Sequence, residues 1–139
     1  MYALMASLDL SAAFDVVNVE LLLKRLHIVG LPHDLVDLVS KWLTNRVFYV
    51  SLDGDSSIVH ECNVGTVQGS ILGPILYSIF VSPLLDLTDI TLFADDNYAL
   101  VWNKCKEALK NSMQIKLEII TTWLAQSGLK VNEEKTELC

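Results

Sequence analysis

The sequence predicts an α+β fold, an antiparallel sheet with helices packed on one face, together with a separate β-hairpin. Three observations carry this prediction. Short apolar runs bracket turn-forming residues at two places, the pattern of strands joined as hairpins. Stretches with apolar residues at helical spacing lie between those runs, as amphipathic helices require. The elements do not alternate as strand, helix, strand, so the crossovers of a parallel sheet are missing and antiparallel pairing remains.

The first strand is the short apolar run at residues 4–10. Asn18 then caps a helix in which Val19, Leu22, Leu23 and Leu26 share a face, and Gly30 ends it. A second helix opens at Pro32 and sets Leu35, Leu38, Val39 and Trp42 against Asp34, Asp37 and Lys41 on the opposite side. Residues 47–52 and 57–64 flank Asp53-Gly54, a dipeptide suited to a tight hairpin turn. From Gln68 to Leu87 nearly every residue is apolar, which predicts a helix buried on most sides with Pro74 near its first turns. Residues 90–93 and 98–102 are apolar runs around Ala94-Asp95-Asp96-Asn97, a second hairpin with acids at its tip. The longest helix spans residues 103–126 with a stripe of Leu109, Met113, Leu117, Ile120 and Leu124, and Gly128 stops it. The tail alternates weakly up to Leu138 and suits an edge strand or a loop. No repeat or linker divides the chain, so residues 1–139 are expected to form one domain.

Apolar residues make up 52% of the chain, enough to bury a core and to exclude disorder. The net charge of -7 has the wrong sign for a self-sufficient nucleic-acid-binding module, because neutralising phosphates takes a surplus of Lys and Arg. Cys62, Cys105 and Cys139 match no zinc spacing and leave an odd thiol, as in a reduced intracellular protein, and no chemistry is assigned to them. The first residues lack the basic stretch of a secretion signal. The most apolar stretch, residues 71–87, is short for a span and is interrupted by Gly73, Pro74 and Pro83, which favours a buried helix over a membrane segment. An intracellular location, nucleus or cytoplasm, is therefore expected, with no secretion and no membrane partner.

The carboxylates stand out against this background. Asp9 lies within one apolar run, and Asp95 and Asp96 directly follow another. A charge in such a place must be solvated, paired or metal-bound. If the two strands are neighbours, three carboxylates converge, and like charges so close need a cation. Mg²⁺ is the ion that prefers a few carboxylates plus waters and phosphates. Two such ions about 3.5–4 Å apart activate an attacking oxygen and stabilise a leaving one. Ordinary turn chemistry is the competing reading of acids at a hairpin tip.

Four segments in order decide between these readings: Leu-Asp-Leu-Ser-Ala-Ala-Phe-Asp at 8–15, Val-Gln-Gly-Ser-Ile-Leu-Gly-Pro at 67–74, Phe-Ala-Asp-Asp at 93–96, and Gly-Leu-Lys-Val-Asn-Glu-Glu-Lys-Thr at 128–136. Together they resemble motifs A, B, C and D of a reverse transcriptase palm, of the non-LTR retrotransposon (LINE-like) kind, over nearly the whole chain. The resemblance implies a polymerase palm with a ferredoxin-like sheet and RNA-directed DNA polymerase activity. In that activity two Mg²⁺ ions, for which Mn²⁺ can substitute, assist transfer of a dNTP onto a primer 3′-OH. It makes Asp9, Asp95 and Asp96 the metal ligands and catalytic carboxylates. Lys135 matches the motif D lysine that protonates the leaving pyrophosphate. The backbone of Leu10, Ser11, Ala12 and Ala13 faces the triphosphate, and Phe14 matches the bulky residue that excludes a ribose 2′-hydroxyl. Gln68 and Gly69 match the pair lining the incoming nucleotide. As ordinary residues, Phe14 is a core aromatic, Gln68 a helix cap and Lys135 a solvated tail lysine. Asp15 reads as orienting the turn before the Asn18 helix.

Val67 stands where the family usually has Pro, Thr66 where it often has Val, and Phe93 where Tyr is frequent. Without Pro the backbone before Gln68 is not fixed, which predicts a looser approach to motif B. Nothing matches the basic fingers segment expected before motif A or the thumb expected after motif D. RNA template, DNA primer and dNTPs are accordingly expected as partners of the full-length enzyme. This stretch alone should bind nucleic acid weakly and not turn over. The alternative from a different class is a decayed or repurposed retroelement segment acting as a non-catalytic structural or binding module. An RNA-templated RNA polymerase or another palm-type nucleotidyltransferase is disfavoured by Phe14.

Overall fold

Strand β1 (Tyr2–Asp9) alternates between inward residues Leu4, Ala6 and Leu8 and outward residues Met5, Ser7 and Asp9, the two-residue period of extended chain. The computed structural model describes all 139 residues. Asn18 Oδ1 accepts the Leu21 N–H at 2.9 Å and so caps helix α1 (Val19–Ile28). Helix α2 (His33–Leu43) follows Pro32. Strands β2 (Arg46–Phe48), β3 (Ser51–Leu52), β4 (Asp55–Ser56) and β5 (His60–Cys62) come next. They form a hairpin in two pieces, with β2 paired to β5 and β3 to β4. Asp53 and Gly54 both take positive φ, 51° and 93°, as the expected tight turn demands.

Helices α3 (Leu72–Val81) and α4 (Pro83–Leu87) stand where one long helix is expected over 68–87. The ladder cannot cross Pro83, which has no N–H to give, and so Pro83 starts a new helix in the position proline tolerates best. Residues 68–71 stay outside the helix. Strands β6 (Ile90–Phe93) and β7 (Asp96–Asn103) form the second hairpin, leaving only Ala94 and Asp95 in its turn. Helix α5 (Lys106–Gln126) begins three residues later than its periodicity indicates because β7 runs on to Asn103. After a short 3-10 turn at Glu133–Lys135, strand β8 (Glu137–Leu138) lies along β1, so the tail is an edge strand.

The main sheet has the order β6-β7-β1-β8, antiparallel throughout. Helix α5 packs on β1 and β7, α4 bridges β6 and α5, and α1 joins α2 and α3 in the same helical layer. One cluster of 22 buried apolar residues fills the space between, including Ala6, Leu8, Ala99, Phe80, Ile120 and Leu124. Within the helical layer Arg25 is a buried cation with no carboxylate partner. Its guanidinium donates to the Phe80 carbonyl and to Ser127 Oγ at 3.1 Å and stacks over the rings of Phe80 and Trp123. Burial lowers its pKa from the ordinary guanidinium value, and the delocalised, weakly hydrated charge of arginine is the one best suited to such a place.

The buried face of α2 is turned from the expected one: Leu35 and Leu38 are exposed and Val39 and Trp42 half-buried, while Val36 and Leu43, outside that set, are buried. No helix is long and apolar enough to cross a membrane. All three cysteines are free, and Cys105 and Cys139 are exposed.

Candidate active site

The pairing of β1 with β7 sets Asp9 directly opposite Asp96, and that of β6 with β7 sets Phe93 opposite Asp96. Opposed residues in an antiparallel pair share a face, so these side chains meet at one end of the outer face of the sheet. Asp95 sits beside them in the turn. The residue before it, Ala94, has φ 54°, a left-handed conformation that a residue with a Cβ adopts at a cost of about 1–2 kcal/mol. Asn97 holds this strained turn from below. It is 2% exposed, and its Nδ2 donates to the Asp95 carbonyl at 2.9 Å and the Leu8 carbonyl at 3.4 Å.

Motif D approaches from the other side of β1. The Asn132 N–H donates to the Asp9 carbonyl at 2.8 Å, and the Ser11 N–H donates to the Lys130 carbonyl at 2.9 Å. Lys135 Nζ lies 3.8 Å from Asp9 Oδ2, too long for a hydrogen bond and worth little between partly exposed groups. Of the motif A backbone, the Ser11 N–H is therefore taken, while those of Ala12 and Ala13 make no backbone hydrogen bond. Ala12 has φ 49°, a second left-handed alanine next to the carboxylates. Leu10 and Ala13 bury their side chains in the core.

Beside this corner lies a cleft of about 410 Å³ between Phe14 and residues 66–70, with Gly73 and Pro74 at its back. Its walls are tied together. Gln68 Nε2 donates to Asp15 Oδ1 at 2.6 Å, so Asp15 orients Gln68 rather than the α1 turn, and Gln68 is not a helix cap. It is Ser70, one residue before the Ile71 that precedes α3, whose Oγ accepts an N–H of the first turn, that of Gly73, at 3.0 Å. The N–H groups of Gly65 and Thr66 donate to the carbonyls of Val17 and Phe14, each at 2.8 Å. Gly65 has φ 76°, and a Cβ there would stand 2.5 Å from the Asp15 carbonyl oxygen. The Arg46 guanidinium donates to the carbonyls of Leu43, Val64 and Gly65 at 2.9, 2.6 and 2.8 Å. The approach to motif B is thus fixed by hydrogen bonds. These bonds hold the two residues before Val67, the position where the family usually has Pro. Gly69, at φ 76°, has nothing within 4 Å of a hypothetical Cβ and opens toward the cleft.

Phe14 closes the other side, its ring 4.5 Å from that of Tyr77 at 36°. Tyr77 is 1% exposed, and its hydroxyl is buried without a hydrogen-bond partner. Burial, and after it the negative charge of Asp95, push the phenol pKa well above its ordinary value.

The donor set at the carboxylate corner is all oxygen, which suits a hard cation such as Mg²⁺ or Mn²⁺. The expected convergence is nevertheless incomplete: no group of three or more Asp, Glu, His or Cys side chains is close enough to hold an ion. Asp9 and Asp96 are brought into register, Lys135 is brought to Asp9, and Phe14, Gln68 and Gly69 are brought to one cleft. Four residues that sequence reasoning passes over also shape the site: Gly65, Arg46, Tyr77 and Asn97. Only Asn97 leaves a trace in the sequence, because it shares inward parity with Ala99 and Val101 in β7.

Comparison with known proteins agrees with this geometry. The family described as reverse transcriptase (RNA-dependent DNA polymerase) matches over residues 1–139. The chain is 34% identical over 145 aligned residues to the RNA-directed DNA polymerase from mobile element jockey of Drosophila melanogaster, covering 96% of this chain and 16% of that protein. It is 29% identical to the probable RNA-directed DNA polymerase from transposon BS of the same species, covering 93% of this chain and 15% of that protein. The chain therefore spans about a sixth of the length of these relatives. Among solved structures, apo telomerase from Candida tropicalis, truncated from its C-terminal domain, superposes with a TM-score of 0.74 at 18% identity, covering 99% of this chain and 30% of that one. That likeness speaks for the fold alone. By family match and by relatives, the chain belongs to the reverse transcriptases, in the company of non-LTR retrotransposon enzymes.

Proposed function

We propose that residues 1–139 form one palm domain of an RNA-directed DNA polymerase and carry its nucleotidyl-transfer site. The observation that supports this most directly is the register placing Asp9 opposite Asp96, with Asp95 in the adjoining turn and a nucleotide-sized cleft alongside. Asp9, Asp95 and Asp96 are the residues that would hold divalent ions. Two such ions supply charge neutralisation and a lowered pKa for the attacking primer 3′-hydroxyl. The rest is the work of the chain itself. The free N–H groups of Ala12 and Ala13 receive triphosphate oxygens. Phe14 lies against the sugar and excludes a 2′-hydroxyl. Gln68, aimed by Asp15, and Gly69 line the base-pair side of the cleft. Lys135 swings from Asp9 to the leaving pyrophosphate and delivers a proton there.

RNA template, DNA primer and dNTP are the substrates in this reading. The net charge of -7 supports weak template binding by this stretch alone, with grip and turnover supplied elsewhere in the full-length protein. The test is primer extension on an RNA template with Mg²⁺ by the full-length protein. Asp95→Asn should lower the rate by about a thousandfold, the equivalent of roughly 4 kcal/mol at the transition state. Full activity in that variant would sink the proposal. Absence of Mn²⁺ binding at millimolar levels in the wild-type protein would favour a non-catalytic module instead.

A further inference from the structure

We propose that Tyr77 is a specificity-determining residue that sets the position of the Phe14 ring and thereby the discrimination between deoxyribose and ribose. The inference rests on the reading of Phe14 as the residue that meets the sugar. The chain of contact is short. Phe14 is the one aromatic wall of the cleft, and its ring rests on Tyr77 at a centroid distance of 4.5 Å and a tilt of 36°. Tyr77 in turn has no freedom of its own, being 1% exposed in the middle of α3. A ring held by an immobile neighbour can reject an extra hydroxyl. A ring free to tilt yields to it.

The ring of Tyr77, not its hydroxyl, is what supports Phe14. Filling the core under Phe14 needs only a ring, and phenylalanine would supply one without a polar atom. Tyr77 instead buries an oxygen that has no partner, an arrangement native cores avoid. Asp95 lies close enough for its charge to act on that phenol. Tyr77 thus touches the sugar wall by its ring and lies within range of the charge of Asp95. It acts through Phe14 and is a positioning residue, not a catalytic one.

The test measures kcat/KM for a dNTP and for the matching rNTP in primer extension by the full-length protein, with Phe14→Ala, Tyr77→Met, Tyr77→Phe and the double variant Phe14→Ala/Tyr77→Met. Methionine keeps the core filled while removing the flat surface beneath Phe14. Tyr77→Met should lower the dNTP-to-rNTP ratio by about tenfold, the size expected when a pocket wall shifts by a small group. The loss should come through improved KM for the rNTP, with kcat for the dNTP little changed. Tyr77→Phe should hold the ratio within about twofold, and Tyr77→Met should add nothing in the Phe14→Ala background. An unchanged ratio in Tyr77→Met, alongside a relaxed ratio in Phe14→Ala, overturns the role of Tyr77. An unchanged ratio in Phe14→Ala overturns the reading of Phe14 itself. If Tyr77→Met fails to fold, Tyr77→Leu carries the same expectation and the same overturning result.

Discussion

The cleft and the carboxylate corner are neighbours built by the same motif A loop, yet they are held in opposite ways. Every wall of the cleft is tied before any ligand arrives: Gln68 to Asp15, Thr66 to Phe14, Gly65 to Val17, and the Arg46 guanidinium to three carbonyls. At the corner the backbone is fixed by Asn97 and Asn132, while the carboxylates themselves are partly or fully exposed and form no ion-binding group. On the proposed reading, the difference follows from what each half would bind. A nucleotide is recognised by shape, which rigid walls provide in advance. An ion is recognised by charge, and a set of acids packed tightly without it would repel itself.

Three substitutions break or sharpen this contrast. The largest effect is expected from Gly65→Ala, where a Cβ would strike the Asp15 carbonyl and φ is already positive. The cleft walls should come apart with a loss of about 3 kcal/mol, combining overpacking and left-handed strain, read by denaturant melting. A loss under about 1 kcal/mol would show that the wall is not rigid. Arg46→Met removes the clamp on the Val64 and Gly65 carbonyls and should lower stability by about 2 kcal/mol while raising KM for the nucleotide in the full-length protein. An unchanged KM would mean that the clamp serves folding alone. The smallest effect belongs to the corner: Ala94→Gly relieves the left-handed alanine and should raise stability by about 0.5–1 kcal/mol, net of the greater freedom of glycine when unfolded. If stability falls instead, the turn is not strained.

The same contrast governs what could be read in advance. Elements announced by local chemistry were legible: Asn18 as a cap, Asp53-Gly54 as a turn, Gly128 as a stop, and the acids after an apolar run. The order of the motifs grouped Asp9 with Asp95 and Asp96 at one corner, but not the register that sets Asp9 opposite Asp96 within β7. What stayed hidden depends on contacts made through space. Nothing local tells that Asp15 meets Gln68, or that Arg46 reaches back to Val64 and Gly65. Periodicity groups Leu35 and Leu38 on one face of α2 without saying whether anything covers it, and the structure leaves them exposed. Asn97 was concealed by its company, since a third polar residue directly after Asp95-Asp96 reads as more turn, whereas pairing with Leu8 places it inside the strand.

Strand β1 has one further consequence, which concerns time. Within its sheet it comes earliest in sequence, yet its neighbours are β7 and β8, both formed from residues far along the sequence. Asp9 therefore has no sheet partner while the intervening helices and the first hairpin, all closed by nearby contacts, can already assemble. Pairings of such long range require closing large loops, and they form late and slowly. As the chain leaves the ribosome, the strand bearing Asp9 emerges well before β7 and β8 and keeps both edges open until they follow, which exposes it to aggregation and to proteolysis.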